Sequence, residues 1–265
     1  MLFVFRFSIL WILLSMFPLL ANTLDDIQKR GVLRVGTESN YFPFEMTDKS
    51  GQLVGFDMDI AYRMAQAMGV KLEIVNGTVD SLIPGLVTNK YDIFIRGITL
   101  TQERNLKVNF SDPYFESGET LLIRKALANQ VHAYGDLNQP NFRIVSKVGT
   151  TGEMAAKKFM PKAKYTGFET EQEAVTEVKN GNADAFVFDA PYNTVAMLLF
   201  AQDKLVHINK PFTYEPLAWA VRQGDVDFLN WLNHFLEQIR RDGTYDRLHH
   251  KWFVEDGWLA LVAAP

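Results

Sequence analysis

Apolar residues fill the first twenty positions of the chain and then give way to alternating patterns. Met1 to Leu20 (MLFVFRFSILWILLSMFPLL) carry one charge, Arg6, and lead into Ala21 and polar sequence from Asn22. A cationic start, an apolar core and a small residue at the end make up a secretory signal peptide. A run of about 20 apolar residues can also span a bilayer. Pro18 and the small Ala21 favour removal over anchoring, so residues 1–21 are expected to be a cleaved leader. No later stretch stays apolar long enough to span, and the mature protein is expected to be soluble.

Beyond the leader, short extended runs alternate with helical periodicity. Val32 to Thr37 (VLRVGT) predicts a strand, and Phe44 to Phe56 predicts two extended pieces around the polar turn Asp48-Lys49-Ser50-Gly51. Phe56, Ile60, Met64 and Met68 then recur every fourth position, with Ala61 and Ala65 beside them, which is an amphipathic helix. Lys71 to Val75 is a strand, Asp80 is placed to cap a helix carrying Leu82, Ile83, Leu86 and Val87, and Asp92 to Arg96 returns to strand. This order predicts a mainly parallel sheet covered by helices. A second unit of the same kind follows: strand Phe142 to Val148, helix Thr151 to Phe159, strand Lys164 to Phe168, helix Glu171 to Lys179, strand Asp184 to Phe188.

Two such units imply two lobes. Glu119 to Lys125 (ETLLIRK) and Pro216 to Arg222 (PLAWAVR) flank the second unit and are expected to cross between the lobes as a two-stranded hinge. Near the end, Phe228, Trp231, Leu232, Phe235, Leu236 and Ile239 form one helical stripe, Asp242-Gly243 interrupts it, and Tyr245, Leu248 and Trp252 continue it. That apolar face is expected to pack back on the first lobe. The division is residues 1–21 leader, 22–120 with 217–265 first lobe, and 121–216 second lobe.

Composition narrows the chemistry. The chain has no cysteine, which excludes disulfides, thiolate metal sites, a cysteine nucleophile and a lipid-anchoring cysteine. After the leader, ~240 residues remain, enough for one large core or two ordinary ones. The net charge of −4 is mild and interspersed, so no nucleic-acid surface is expected. His249 and His250 are adjacent, and neighbours on a helix point about 100° apart, a poor chelate. Gly149 to Gly152 lacks the lysine and spacing of a nucleotide loop. No metal and no cofactor is called for.

From Gly55 the sequence reads GFDMDIAYRMAQAM, and here it resembles the family-3 periplasmic solute-binding proteins, the amino-acid receptors of ABC importers. Gly55, Phe56, Asp57, Met58, Asp59 and Ile60 fit that family's signature of glycine, aromatic or aliphatic residue and two acids separated by an aliphatic. Tyr91 to Tyr114, VGTTGE (Val148 to Glu153), NADAFVFD (Asn182 to Asp189) and DGTYDRLHHKWF (Asp242 to Phe253) also resemble it, in the same order. The resemblance implies a type II two-lobed α/β fold, each lobe a mainly parallel sheet flanked by helices. It further implies a monomer that closes on a small amino acid and delivers it to an inner-membrane permease. Asp57 and Asp59 themselves suit the positive start of a helix better than an acid-base role.

The same resemblance assigns the site. Arg104, ending the segment TLTQER (Thr99 to Arg104), is the position that receives the ligand's α-carboxylate; a guanidinium offers two parallel charge-assisted bonds and keeps its proton. Taken alone, TQERN would be surface. Gly97 and Thr99 lie on the loop that meets the same ligand, at the carboxyl end of a strand. Thr150 and Thr151 open a helix, where amides and hydroxyls meet an anion, or where Thr simply caps. Asp189 is the acid that pairs with the α-ammonium; a helix-capping Asp is the alternative. Tyr41 is the aromatic over the ligand's side chain, against a plain core role. Glu38 stands where relatives that bind cationic amino acids often carry an acid.

Arg96 departs from the family pattern, where a small residue is common. Pointing inward it favours an acidic or amide ligand, or broad polar specificity; paired with Glu38 it cancels. An enzyme of the same fold, the cyclohexadienyl dehydratase kind, is the rival, and it needs a general acid in the cleft for which only Glu38 with Arg96 is placed. A receptor module of a signalling protein is a second rival.

Overall fold

A computed structural model describes residues 22–200 and 203–262; the leader proposed at residues 1–21 lies outside the described residues. Two five-stranded sheets organise the chain. In the first, Val32–Thr37 lies between Lys71–Asn76 and Ile93–Phe94, parallel to both. Ala220–Val221 then joins antiparallel to Ile93–Phe94 and to the edge strand Asn109–Phe110. The second sheet repeats this plan. Arg143–Lys147 runs parallel to Lys164–Phe168 and Ala185–Asp189, and Glu119–Arg124 sits antiparallel between Ala185–Asp189 and Leu205–Ile208. The expected two-lobed α/β fold is therefore observed, with mixed sheets. The parallel half follows from helical crossovers, and the antiparallel half comes from a strand that enters from the other lobe.

The crossing itself differs from the sequence expectation. Glu119–Arg124 is buried inside the second sheet, and the paired connectors are Phe115–Ser117 and Glu215–Leu217, antiparallel with Ser117 opposite Glu215. An apolar extended run reads alike in a connector or a central strand, so its periodicity could not tell them apart. The segment PLAWAVR divides between the connector and the first sheet, as Ala220–Val221.

Helix Phe56–Met68 begins as its four-residue stripe predicts, after Gly55 at φ 140. A Cβ at Gly55 would stand 2.2 Å from the Phe44 carbonyl oxygen, so this entry requires glycine. Helix Val79–Val87 is capped by Thr78 and Ser81 rather than by Asp80, which is the second residue of the helix; the Thr78 amide donates to the Ser81 hydroxyl at 3.0 Å. The terminal helix Val226–Arg241 buries Phe228, Leu232, Phe235, Leu236 and Ile239. The shorter Thr244–His249 follows it, and Lys251 and the Trp252 indole both donate to Asp59 of the first lobe, at 2.7 and 2.8 Å. No helix among the described residues is long and apolar enough to cross a membrane.

The two lobes are shut against each other. One continuous apolar cluster includes Phe44, Phe56 and Trp219 of the first and Phe186, Tyr192 and Val195 of the second. Phe42 meets Tyr192 with ring centroids 5.9 Å apart.

Candidate functional site

The carboxyl ends of Ile93–Phe94 and Ala185–Asp189 face each other across a cavity of about 770 Å³. Arg96, Gly97, Thr99 and Arg104 line it from the first lobe, and Thr151 and Asp189 from the second. Six of the eight sequence-predicted site residues thus share one space. Tyr41 and Glu38 are not in its lining.

Arg104 stands on the one-turn helix Gln102–Asn105, whose cap, the Thr101 hydroxyl, accepts from the Arg104 amide at 3.2 Å. Its guanidinium donates to the Thr99 carbonyl at 2.9 Å and, across the cleft, to the Gly149 carbonyl at 3.3 Å. Among the described residues it makes no ion pair. Burial, and then the neighbouring charge of Arg96, lower its pKa, the mark of a cation held without an adequate anion. Asp189 closes its strand with one oxygen accepting from the Ser117 hydroxyl at 2.9 Å. Burial raises its pKa to about 6, and Glu215 adds to the rise. Beside it Glu119 is fully buried, both its oxygens lacking a hydrogen-bond partner, and burial followed by the Asp189 charge pushes it well above the carboxylate range.

The two threonines divide their work. Thr150 donates to the Lys147 carbonyl at 2.7 Å and accepts from the Glu153 amide, so it is the cap. Thr151, the first residue of helix Thr151–Phe159, turns its hydroxyl to within 3.4 Å of the Thr99 hydroxyl in the cleft. Gly97 adopts φ 26, and a Cβ there would meet the Tyr41 ring at 2.2 Å. Its amide donates to Asp57 at 2.8 Å, so that donor is already used. Asp57 also accepts from the Tyr114 hydroxyl at 2.9 Å. Burial lifts Asp57 to about 7 against the pull of those two donors.

At the other end of the cleft the charges are paired. Arg96 meets Glu38 at 2.8 Å and Glu171 at 3.0 Å, and Lys147 meets the same two carboxylates at 2.8 and 3.0 Å. Glu45 lies 3.6 Å from the Arg96 Nε. Burial works against the Arg96 charge, but Glu38, Glu171 and Glu45 outweigh it and raise the pKa. Burial and then Asp57 push the Glu45 carboxyl well above its ordinary range. Arg96 thus lines the cavity and is paired at once, with Glu171 as an additional partner from the second lobe. Tyr41 stacks on Phe44 at 4.8 Å, abuts Phe188 and Tyr192, and carries the Arg96 guanidinium 5.1 Å over its ring. It is 1% exposed and seals the lobes together.

Two matched lobes, a paired connector and facing cationic and anionic groups are the setting in which comparison with known proteins decides. Residues 33–255 match the bacterial extracellular solute-binding proteins, family 3. The chain belongs to that family. It is 31% identical over 229 residues to the ABC transporter glutamine-binding protein of Bacillus subtilis strain 168, covering 85% of this chain and 81% of that protein. Among solved structures it is similar to a binding component of an ABC transporter from Wolinella succinogenes DSM 1740 complexed with lysine. That likeness has 54% identity and a TM-score of 0.85, and covers 87% of this chain and 99% of the other. An ancestral amino acid-binding protein, a precursor of cyclohexadienyl dehydratase, is 48% identical at TM-score 0.83, again covering 87% and 99%.

Within this family-3 chain, sequence reasoning missed Lys147, Glu171, Glu119, Glu215 and Ser117. Two left a signal. Lys147 is a cation inside the apolar run FRIVSKV, a position that demands a counter-charge. Glu119 likewise opens the apolar run ETLLIR. Glu171 sits at the start of a helix behind a Thr170–Glu173 capping box, where an acid is ordinary and draws no attention.

Proposed function

We propose that the protein binds a basic α-amino acid between its lobes and presents the closed complex to an inner-membrane ABC permease. In this reading it works in the periplasm after loss of residues 1–21, as a monomer and without a cofactor. Residues 22–120 with 217–265 form one jaw, and 121–216 the other. The carrying observation is that a half-buried guanidinium bonded only to carbonyls, Arg104, shares a cavity with Asp189 on the opposite jaw. An α-carboxylate on Arg104 and an α-ammonium on Asp189 would neutralise both, with Thr99 and Thr151 as hydroxyl partners. Binding energy drawn from both jaws is what favours a closed form.

The side-chain preference is read from the remaining charge. Arg96, the basis for expecting an acidic or amide ligand, is engaged with Glu38 and Glu171 and has no charge to spare. Glu215 is a further carboxyl group near Asp189, Glu119 is pushed well above the carboxylate range by burial, and both Arg96 and Arg104 are nearby cations. The basic preference is supported by a relative at 54% identity that was solved with lysine. Glu38, the general acid that the dehydration alternative called on, accepts from both Arg96 and Lys147, whereas a general acid must hold a proton to give.

A thermal-shift panel tests this reading. Lysine or arginine at 100 times Kd should raise Tm by about 5–10 °C, with glutamate giving a smaller rise. A panel of all common amino acids with no shift would refute it. Incubation with prephenate or arogenate is expected to give no aromatic product.

A further inference from the structure

The paired end of the cleft is built across the lobes. Glu38 follows strand Val32–Thr37 and Arg96 follows Ile93–Phe94, both in the first sheet's lobe. Lys147 ends strand Arg143–Lys147 and Glu171 opens helix Glu171–Asn180, both in the second. Each lobe therefore carries one internal pair, Glu38 with Arg96 and Lys147 with Glu171, and the first lobe adds Glu45 at 3.6 Å from Arg96. Closure adds two contacts, Lys147 to Glu38 at 2.8 Å and Arg96 to Glu171 at 3.0 Å, with signs alternating around a ring of four. The side chains are 7, 16, 4 and 1% exposed for Arg96, Glu38, Lys147 and Glu171. Buried ions stabilise only when each has several partners; here Glu38, Lys147 and Glu171 have two each, and Arg96 has three with Glu45.

We propose that this ring is a closure latch, with Lys147 and Glu171 as affinity-determining positioning residues that never touch the ligand. Of the four, Arg96 alone lines the cavity. Lys147 and Glu171 act through it and through Glu38. Because the latch forms with or without ligand, it raises the closed population of the free protein and reduces what the ligand must supply. Its loss should weaken every ligand by the same factor, through faster release rather than slower capture. The inference rests on the proposed ligand site for its affinity effects, but its effect on the free protein does not.

The chain has no cysteine, so a dye pair on Ala67→Cys and Thr176→Cys reports the distance between lobes cleanly. In the ligand-free protein, Lys147→Met and Glu171→Gln should each shift the distribution toward the open distance, and Lys147→Arg should restore most of the closed fraction. In stopped-flow binding, lysine and arginine should dissociate ~10-fold faster from Lys147→Met, with association changed less than about 2-fold. If Lys147→Met does not fold, Glu38→Gln weakens the same cross-lobe contact from the other jaw and carries the same expectation. An unchanged ligand-free distance in these variants, or an affinity loss confined to one ligand, overturns the latch. Absence of any amino acid binding would instead overturn the proposed function, with the distance measurement still judging the latch.

Discussion

The two ends of the cleft hold similar residues in opposite conditions. At one end two cations and two carboxylates pair with one another in a ring, and the buried Glu45, 3.6 Å from the Arg96 Nε, is the carboxyl there without a hydrogen bond. At the other, Arg104 is bonded only to carbonyls, Asp189 to a single hydroxyl, and Glu119 to nothing within hydrogen-bond reach. Burying charge without partners is costly, and proteins keep such arrangements where a ligand completes them. The contrast separates closure from recognition, although both ends lie between the same two lobes.

Substitutions break this comparison most sharply at the unsatisfied end. Arg104→Ala should weaken amino acid binding by ~100-fold or more in calorimetry, and Arg104→Lys should recover little, since an ammonium lacks the fork. The ligand-free Tm should not fall, because a half-buried charge without an ion pair is removed. Asp189→Asn keeps an acceptor for Ser117 but removes the charge, and a ~10- to 100-fold loss is expected.

A smaller effect sharpens the comparison through pH. Asp189 at about 6 and Asp57 at about 7 are both raised by burial from an ordinary 3.8. A carboxyl raised in the fold contributes stability that is full below its unfolded pKa and is lost as pH climbs through its folded value. The ligand-free protein should therefore melt several degrees higher at pH 5 than at pH 8. Ligand affinity should move the opposite way, falling as pH drops below about 6, because Asp189 must be ionised to pair with an ammonium. Smallest is Thr151→Val, which removes one neutral hydroxyl and should cost about 3- to 10-fold in affinity.

Much of the architecture was legible because it rests on local pattern. The stripe from Phe56 to Met68 and the strands at Val32, Lys164 and Ala185 follow from periodicity, and the observed elements match. The connector was misplaced by a few residues because ETLLIR is equally extended in either role. Arg104 looked like surface until a family resemblance singled it out, since no local property of TQERN marks its burial. The ring could be half seen: Glu38 and Arg96 were paired as one alternative, but Lys147 and Glu171 come from the far lobe, and contacts between distant segments leave no periodic trace.

The central claim is that recognition happens at the incompletely paired end. A crystal structure with lysine or arginine bound tests it most directly. The ligand's carboxylate should lie on the Arg104 guanidinium and its α-ammonium within hydrogen-bond distance of Asp189, with the four-charge ring intact. A ligand seated instead among Glu38, Lys147 and Glu171, with Arg104 still on its carbonyls, would contradict it.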